Sequence, residues 1–271
     1  MLQNLHMHSA FCDGNSTPEE IVRIAIERGF DSLGFSSHAP TPFGTSCEMR
    51  DSDAYVAEIM RLKELYAGRL EIFLGAELDY FSAEFAKKYS FDYTLGGVHM
   101  ALTDEGEFVE FDHSAKMSEE YITRALRGDG ERFAELYYRT MADMPNKISA
   151  DVVAHFDLVS KFSEKRPDLF NANGKRYRTA ALEALHAVRE RMEVFEINTG
   201  AVARGHRSTP YPAPFLLSEM RALNCKLIIS SDCHDPAFID CHFKEAKEYI
   251  KAAGFDTVYH LSASGFVGEK I

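Results

Sequence analysis

Tryptophan is absent and cysteine is sparse. The five cysteines, Cys12, Cys47, Cys225, Cys233 and Cys241, are odd in number and include no CxxC pair. That pattern argues against a disulfide framework and a cysteine-built zinc knuckle, and fits a reducing cytoplasm. Positive charge is in deficit: 30 Lys and Arg face 42 Asp and Glu, a formal net charge of −12. Nucleic acid is therefore not an expected partner, because phosphate backbones attract basic surfaces. A small phosphorylated substrate is still compatible, since bound metal ions reverse the local sign of the field. No apolar run approaches the roughly 20 residues that span a bilayer. The opening Met1-Leu2-Gln3-Asn4-Leu5-His6 lacks the basic-then-apolar layout of a signal peptide. A cytoplasmic location without a membrane partner is the expectation. No repeat, low-complexity tract or linker interrupts the chain, so one domain is expected over residues 1–271, and an α/β barrel commonly has this length.

What the sequence does contain is short apolar runs alternating with longer helical patterns, which favours a parallel sheet. Strands are expected at Leu2–His6, Asp31–Ser36, Leu70–Leu74, Tyr93–Val98, Val152–Ala154, Val194–Asn198 and Lys226–Ser230, with a last short one at Thr257–His260. Thr17-Pro18-Glu19-Glu20 reads as a capping box opening a helix that Gly29 ends. Asp53–Tyr66 is helical, Glu105–Phe111 reads as a hairpin, and Glu119–Met144 is helical with a break at Gly128-Asp129-Gly130. Asn171–Gly174 is a loop before a helix running to Arg191.

Nearly every expected strand ends on a metal-capable or polar side chain: His6 and His8, His38, Glu77, His99, His155, Asn198, Asp232 and His234. Taken singly, each has a bland reading. His6-Met7-His8 is a pair of half-buried polar residues, Asp13 a turn residue before Gly14, and His38 a loop histidine satisfied by backbone. As a set they are harder to dismiss, because core histidines would fall anywhere along a strand. Strand C-termini share one face of an α/β barrel, so residues scattered in sequence converge there. Alternate residues of HxH share a side, so two imidazoles can grip one cation, and Asp232 and His234 recur at the same spacing.

The order HxH…D…H…E…H…H…DxH resembles the polymerase and histidinol phosphatase (PHP) family of metal-dependent phosphoesterases, and its histidinol-phosphatase branch in particular. The likeness is carried by Leu5-His6-Met7-His8-Ser9, Phe35-Ser36-Ser37-His38-Ala39-Pro40, Leu74-Gly75-Ala76-Glu77-Leu78-Asp79-Tyr80, Gly96-Gly97-Val98-His99, Ala154-His155-Phe156-Asp157-Leu158, Asn198-Thr199-Gly200 and Ser231-Asp232-Cys233-His234. It implies a distorted (β/α)7, TIM-like barrel and three divalent metal ions, with zinc, manganese and iron all compatible with mixed imidazole and carboxylate donors. By matching position, His6, His8, Glu77 and Asp232 would hold the first ion. Glu77 would bridge to a second, held with His99 and His155. Asp13, His38 and His234 would hold the third.

In the chemistry so implied, a hydroxide bridging the Glu77-linked ions attacks phosphorus while the ions neutralise the phosphate oxygens. Glu77 and Asp232 are thus catalytic as well as ligating. Arg204 is the first candidate for a phosphate clamp, because the family's matching segment carries a basic residue there; Lys161 and Arg178 follow. The leaving alkoxide's proton would come from His206 or from metal-bound water. Asp79 and Asp112 are candidates to meet a substrate ammonium. Three functions remain: a histidinol-phosphate phosphatase of histidine biosynthesis, a phosphoesterase for a nucleotide or other small ester, and a metal-binding module without turnover.

Overall fold

The computed structural model describes residues 1–271. The elements run β1 (Gln3–Asn4), α1 (Pro18–Glu27), β2 (Ser32–Phe35), α2 (Ser52–Leu65), β3 (Glu71–Asp79), α3 (Ala83–Ala86), β4 (Tyr93–Gly97), β5 (Met100–Leu102), β6 (Phe108–Glu110), α4 (Ala115–Ala125), α5 (Gly130–Lys147), β7 (Val152–Val153), α6 (Lys175–Arg189), β8 (Val194–Asn198), α7 (Gly200–Ala203), α8 (Pro214–Ala222), β9 (Lys226–Ser230), α9 (Phe243–Ala252), β10 (Thr257–Ser262) and β11 (Gly265–Lys270). The capping box forms at α1: Glu20 N donates to Thr17 Oγ1, and Thr17 N donates to the Glu20 side chain.

Seven strands make one sheet in the order β1-β2-β3-β4-β7-β8-β9, and every neighbouring pair is parallel. Between β9 and β1 there is no ladder, only a parallel bridge between Met7 and Cys233. His8 N donates to Cys233 O at 3.0 Å and Asn4 Nδ2 to Ser231 Oγ at 2.7 Å across this seam. The result is a nearly closed seven-stranded α/β barrel, the expected fold class. No helix is long and apolar enough to cross a membrane.

Most apolar burial lies outside the barrel, where a cluster of 59 residues fills the space between sheet and helices. The interior holds a smaller cluster of nine: Leu5, Phe73, Tyr93, Leu95, Val152, Ala154, Val194, Ile228 and Leu261. Leu261 belongs to the β10–β11 hairpin, which is pinned to β1 through Gln3: Gln3 Nε2 donates to Leu261 O at 2.9 Å, and Leu261 N to Gln3 Oε1 at 2.8 Å. Tyr93 spans the interior. A Cβ on Gly75 would lie 2.5 Å from its ring, so only glycine fits there.

Three expectations are corrected in detail. β1 is cut to two residues because His6 N donates at 3.1 Å to the Asn4 side chain instead of continuing the ladder. β3 runs on to Asp79, so Glu77 sits inside a strand, paired in register with Leu95, and not after it. The last strand pairs with β11 as a separate antiparallel hairpin outside the barrel sheet.

Candidate metal centre

Because strand residues alternate between faces, the interior changes character in steps of two residues. Val194 leads to Glu196 and Asn198, Ile228 to Ser230 and Asp232, Phe73 to Gly75 and Glu77, and Tyr93 to Leu95, Gly97 and His99. The first member of each series lies in the apolar cluster, and the last lies at the strand C-termini, where ionisable groups gather. Asp232 just beyond β9 takes a left-handed φ of 48°, a conformation aspartate tolerates better than most residues. Asp13 is brought in by a tight loop: a Cβ on Gly14 would sit 2.5 Å from the His8 backbone, so the loop closes only on glycine.

All nine expected ligands converge. Their donor atoms form overlapping groups: His8, Asp13, His38 and His234; His6, His8 and Asp232; His6, Glu77 and His155; His38, Glu77 and His99; within each, all atoms lie within 4.8 Å of one another. Glu77 is the hub, and its two oxygens face different histidines. Oε2 lies 3.2 Å from His6 Nε2, 3.5 Å from His8 Nε2 and 3.0 Å from His38 Nδ1. Oε1 lies 2.8 Å from His155 Nε2 and 3.2 Å from His99 Nε2. Asp232 Oδ1 is 3.2 Å from His8 Nε2 and 3.7 Å from His6 Nε2. His234 Nε2 is 3.1 Å from Asp13 Oδ2.

These residues fit metal ions. His6 Nε2, His8 Nε2 and Glu77 Oε2 are buried and make no hydrogen bond with one another or with anything else, although they stand so close. Unmade bonds of this kind cost on the order of 1–3 kcal/mol each. Donors sharing one tetrahedral zinc stand roughly 3.3 Å apart, which matches the spacings at Glu77 and Asp232. The donor set of imidazoles and carboxylates is that of a divalent-metal site.

The electrostatics agree. Burial alone would push the Glu77 carboxyl up, but His6, His38 and His99 overcome it and hold it well below the usual range. Burial acts against Asp232 too and is overcome by Arg204 and then His6. For the imidazoles the signs reverse. Burial would lower His6, yet Glu196, Glu77 and Asp232 raise it well above its ordinary value. His99 is raised likewise, against burial, by Glu77 and Asp79.

A layer beneath the candidate ligands orients them. Glu196, fully buried on β8, accepts from His6 Nδ1 at 2.6 Å, His155 N at 2.7 Å, Asn198 Nδ2 at 3.0 Å and Ser230 Oγ. It turns His6 Nε2 toward the centre, the usual role of a carboxylate behind a metal-ligating histidine. Sequence reasoning did not single out Glu196, although it sits two residues before Asn198 in an otherwise apolar strand. Asp79 serves His99 in the same way, accepting from its backbone N at 2.9 Å, with Nδ1 3.5 Å away, so it is committed to that histidine and not to a substrate. Asp157 is no ligand; its carboxylate pairs with buried Arg207 at 3.1 Å.

A cavity of about 260 Å³ opens above the cluster, and Arg204, Lys161, Asp112, Glu110 and His113 help to line it. Arg204 donates to Asp232 O at 2.8 Å and to its Oδ2 at 3.1 Å. Lys161 is held by Asp112. Two expected site residues are not brought in. His206 follows the turn that caps α7, where its N donates to Ala201 O, and its ring packs edge-on against Phe162 at 5.4 Å. Arg178 lies over the Phe215 ring at 4.2 Å, beside a separate cavity of about 450 Å³.

Residues 4–200 match the PHP domain family. The chain belongs to that family. Among curated relatives, "Probable histidinol-phosphatase" of Schizosaccharomyces pombe is 28% identical over 274 residues, covering 93% of this chain and 87% of that protein. "Histidinol-phosphatase" of Bacillus subtilis is 27% identical over 256 residues, covering 84% of this chain and 92% of that protein. A solved histidinol phosphate phosphatase from Lactococcus lactis, complexed with zinc, L-histidinol and phosphate, superposes with a TM-score of 0.73 at 20% identity, covering 98% of each chain. The barrel is thus the PHP barrel, and its clustered histidines and carboxylates form a divalent-metal centre.

Proposed function

We propose that this chain hydrolyses L-histidinol phosphate to L-histidinol and inorganic phosphate, as a single-domain metal-dependent phosphatase with three ions. The observation that carries the reading is the split at Glu77, with one oxygen toward His99 and His155 and the other toward His6, His8 and His38. That is the arrangement of a carboxylate shared between cations. His6, His8, Glu77 and Asp232 would hold one ion, Glu77, His99 and His155 a second, and Asp13, His38 and His234 a third. The donors suit zinc, as in the L. lactis relative, and also manganese or iron. When bound, such ions supply Lewis acidity toward phosphate oxygens and lower the pKa of water.

The chain's own groups do the rest. Arg204 presents a planar guanidinium at the rim of the cluster, suited to grip two phosphate oxygens. Its contact with Asp232 fixes the side chain before substrate arrives, which reduces the ordering cost of binding. Lys161, tethered by Asp112, adds a second positive charge on the same cavity. Of the histidines outside the ligand set, only His113 lines the cavity, so it takes the place of His206 as the side chain able to protonate the leaving oxygen.

The test is phosphate release by the purified protein, with elemental analysis of the same sample. Turnover of L-histidinol phosphate well above that of nucleoside monophosphates is expected. A preference for nucleotides would overturn the substrate assignment. Metal-replete protein inert toward every monoester would point to a binding module.

A further inference from the structure

Eight buried side-chain nitrogens and oxygens make no hydrogen bond, and the metal centre accounts for three of them: His6 Nε2, His8 Nε2 and Glu77 Oε2. Four of the others belong to residues gathered behind a single histidine: His155 Nδ1, Asp157 Oδ1, Arg207 Nε and Tyr211 Oη. Buried polar atoms are rarely left unpaired, so four in one place call for a cause.

The four residues pack on one another. The His155 and Tyr211 rings meet edge-on at 6.4 Å, and the Arg207 guanidinium lies 4.4 Å from the centre of the Tyr211 ring. Arg207 Nη1 donates at 3.1 Å to Asp157 Oδ2, which also accepts from Ala213 N and Ser160 Oγ. Backbone pairing places Tyr211. Its N donates to Asn198 O and its O accepts from Asn198 N, both at 3.0 Å, which ties it to the end of β8. The neighbouring strand, β7, leads into His155.

Stability does not explain this group. A buried ion pair such as Asp157 with Arg207 is a weak source of stability, because desolvation offsets most of the attraction. A tyrosine hydroxyl without a partner adds nothing to the fold. Location does explain it. A neutral imidazole that presents Nε2 to a cation carries its proton on Nδ1, and a ligating histidine gives that proton to a carboxylate, carbonyl or water. His6 has Glu196 for this at 2.6 Å, and His99 has Asp79 at 3.5 Å. His155 presents Nε2 to Glu77 Oε1 at 2.8 Å, yet its Nδ1 has no acceptor within bonding distance. The unpaired acceptors packed near it are Tyr211 Oη and Asp157 Oδ1.

We propose that Tyr211 and Asp157, with Arg207 holding Asp157, are positioning residues for His155. The link runs through internal water, the usual partner of buried polar groups that stand beyond direct reach. Water accepts from His155 Nδ1 and donates to Tyr211 Oη and Asp157 Oδ1, so the ring keeps the tautomer and tilt that aim Nε2 at the centre. The proposal rests on His155 being a metal ligand, as proposed above, and names what orients it.

The experiment titrates zinc into the metal-free full chain against a competing chelator, with the melting temperature of the metal-free protein measured beside it. Tyr211→Phe removes only an oxygen that bonds to nothing in the protein. Its metal-free Tm should match or exceed that of the wild type, while zinc affinity falls at least about tenfold for one of the bound ions. Asp157→Asn should weaken zinc binding as well. Tyr138→Phe is the control: it removes a buried hydroxyl that donates to Tyr177 Oη at 2.8 Å, so Tm should drop and zinc affinity should hold. Unchanged zinc affinity in Tyr211→Phe overturns the proposal, whether or not Asp157→Asn folds. A loss of affinity that Tyr138→Phe reproduces, or that comes with a lowered metal-free Tm in Tyr211→Phe, makes the role structural and overturns it too. If the wild type binds zinc and Tyr211→Phe binds it equally well, this inference alone fails. A wild type that takes up no zinc removes the ligand assignment with it.

Discussion

The two ends of one barrel differ as much as two proteins. At the N-terminal end, Phe73, Tyr93, Val152, Val194 and Ile228 pack with Leu261 of the hairpin in an apolar plug. Four residues further along the same strands, Glu77 and Asp232 stand among histidines, two of which, His6 and His8, keep a buried Nε2 without a hydrogen bond. The first region is satisfied within the chain. The second is not, and the atoms it leaves unsatisfied are those that would hold metal. Within a barrel, then, stability and chemistry are separated by distance along a strand, and the separation can be tested from either side.

The largest effect should come from the hub. Glu77→Ala removes both oxygens at once, and turnover should drop by about three powers of ten or more, by analogy with other catalytic-group deletions. Near-normal phosphate release from that variant would refute the shared-carboxylate reading. Next is the supporting layer. Glu196→Gln keeps the shape but weakens the hold on His6 Nδ1, and metal affinity measured against a competing chelator should fall about 10- to 100-fold. Unchanged affinity would reduce Glu196 to a packing role.

The third effect is a pH dependence. The carboxylates around His6 and His99 raise both above the ordinary histidine value, so protons compete with an incoming ion for their nitrogens. Affinity should therefore strengthen as pH rises through neutrality and weaken as it falls, by up to about tenfold per unit for each proton released. Calorimetry in buffers of different ionisation enthalpy reads the proton count directly; a count of zero at pH 7 contradicts the raised values. The smallest effect on function should come from the plug. Leu261→Ala should cost about 2–4 kcal/mol of stability, lowering Tm by several degrees, while kcat per folded molecule stays as it was. A matching loss of kcat would show that the two ends are coupled.

Most of the architecture was legible because its signals are local. Short apolar runs mark β2, β4, β8 and β9, and Thr17-Pro18-Glu19-Glu20 marks the start of α1. The candidate donors were legible because most of them stand where strands end and because their order resembles a known family. What escaped depends on side-chain direction across the fold. Glu196 reads as an interruption in an apolar strand until His6, 190 positions away, is seen against it. Asp79 and Asp112 both looked free to meet substrate, but one is taken by His99 and the other by Lys161. His206 was one expected source of the leaving group's proton, yet the turn after α7 sends its ring against Phe162 while Arg204 lines the cavity.

The open seam between β9 and β1 has a bearing on biogenesis. Asp13 and His234 lie 221 residues apart in sequence, and they meet only where the barrel closes. During synthesis the earliest ligands leave the ribosome long before the latest exist. A growing polypeptide therefore cannot complete this set of donors until Asp232 and His234 have been made. On the proposed ligand set, the third ion's donors come together only when the two edges of the sheet find each other.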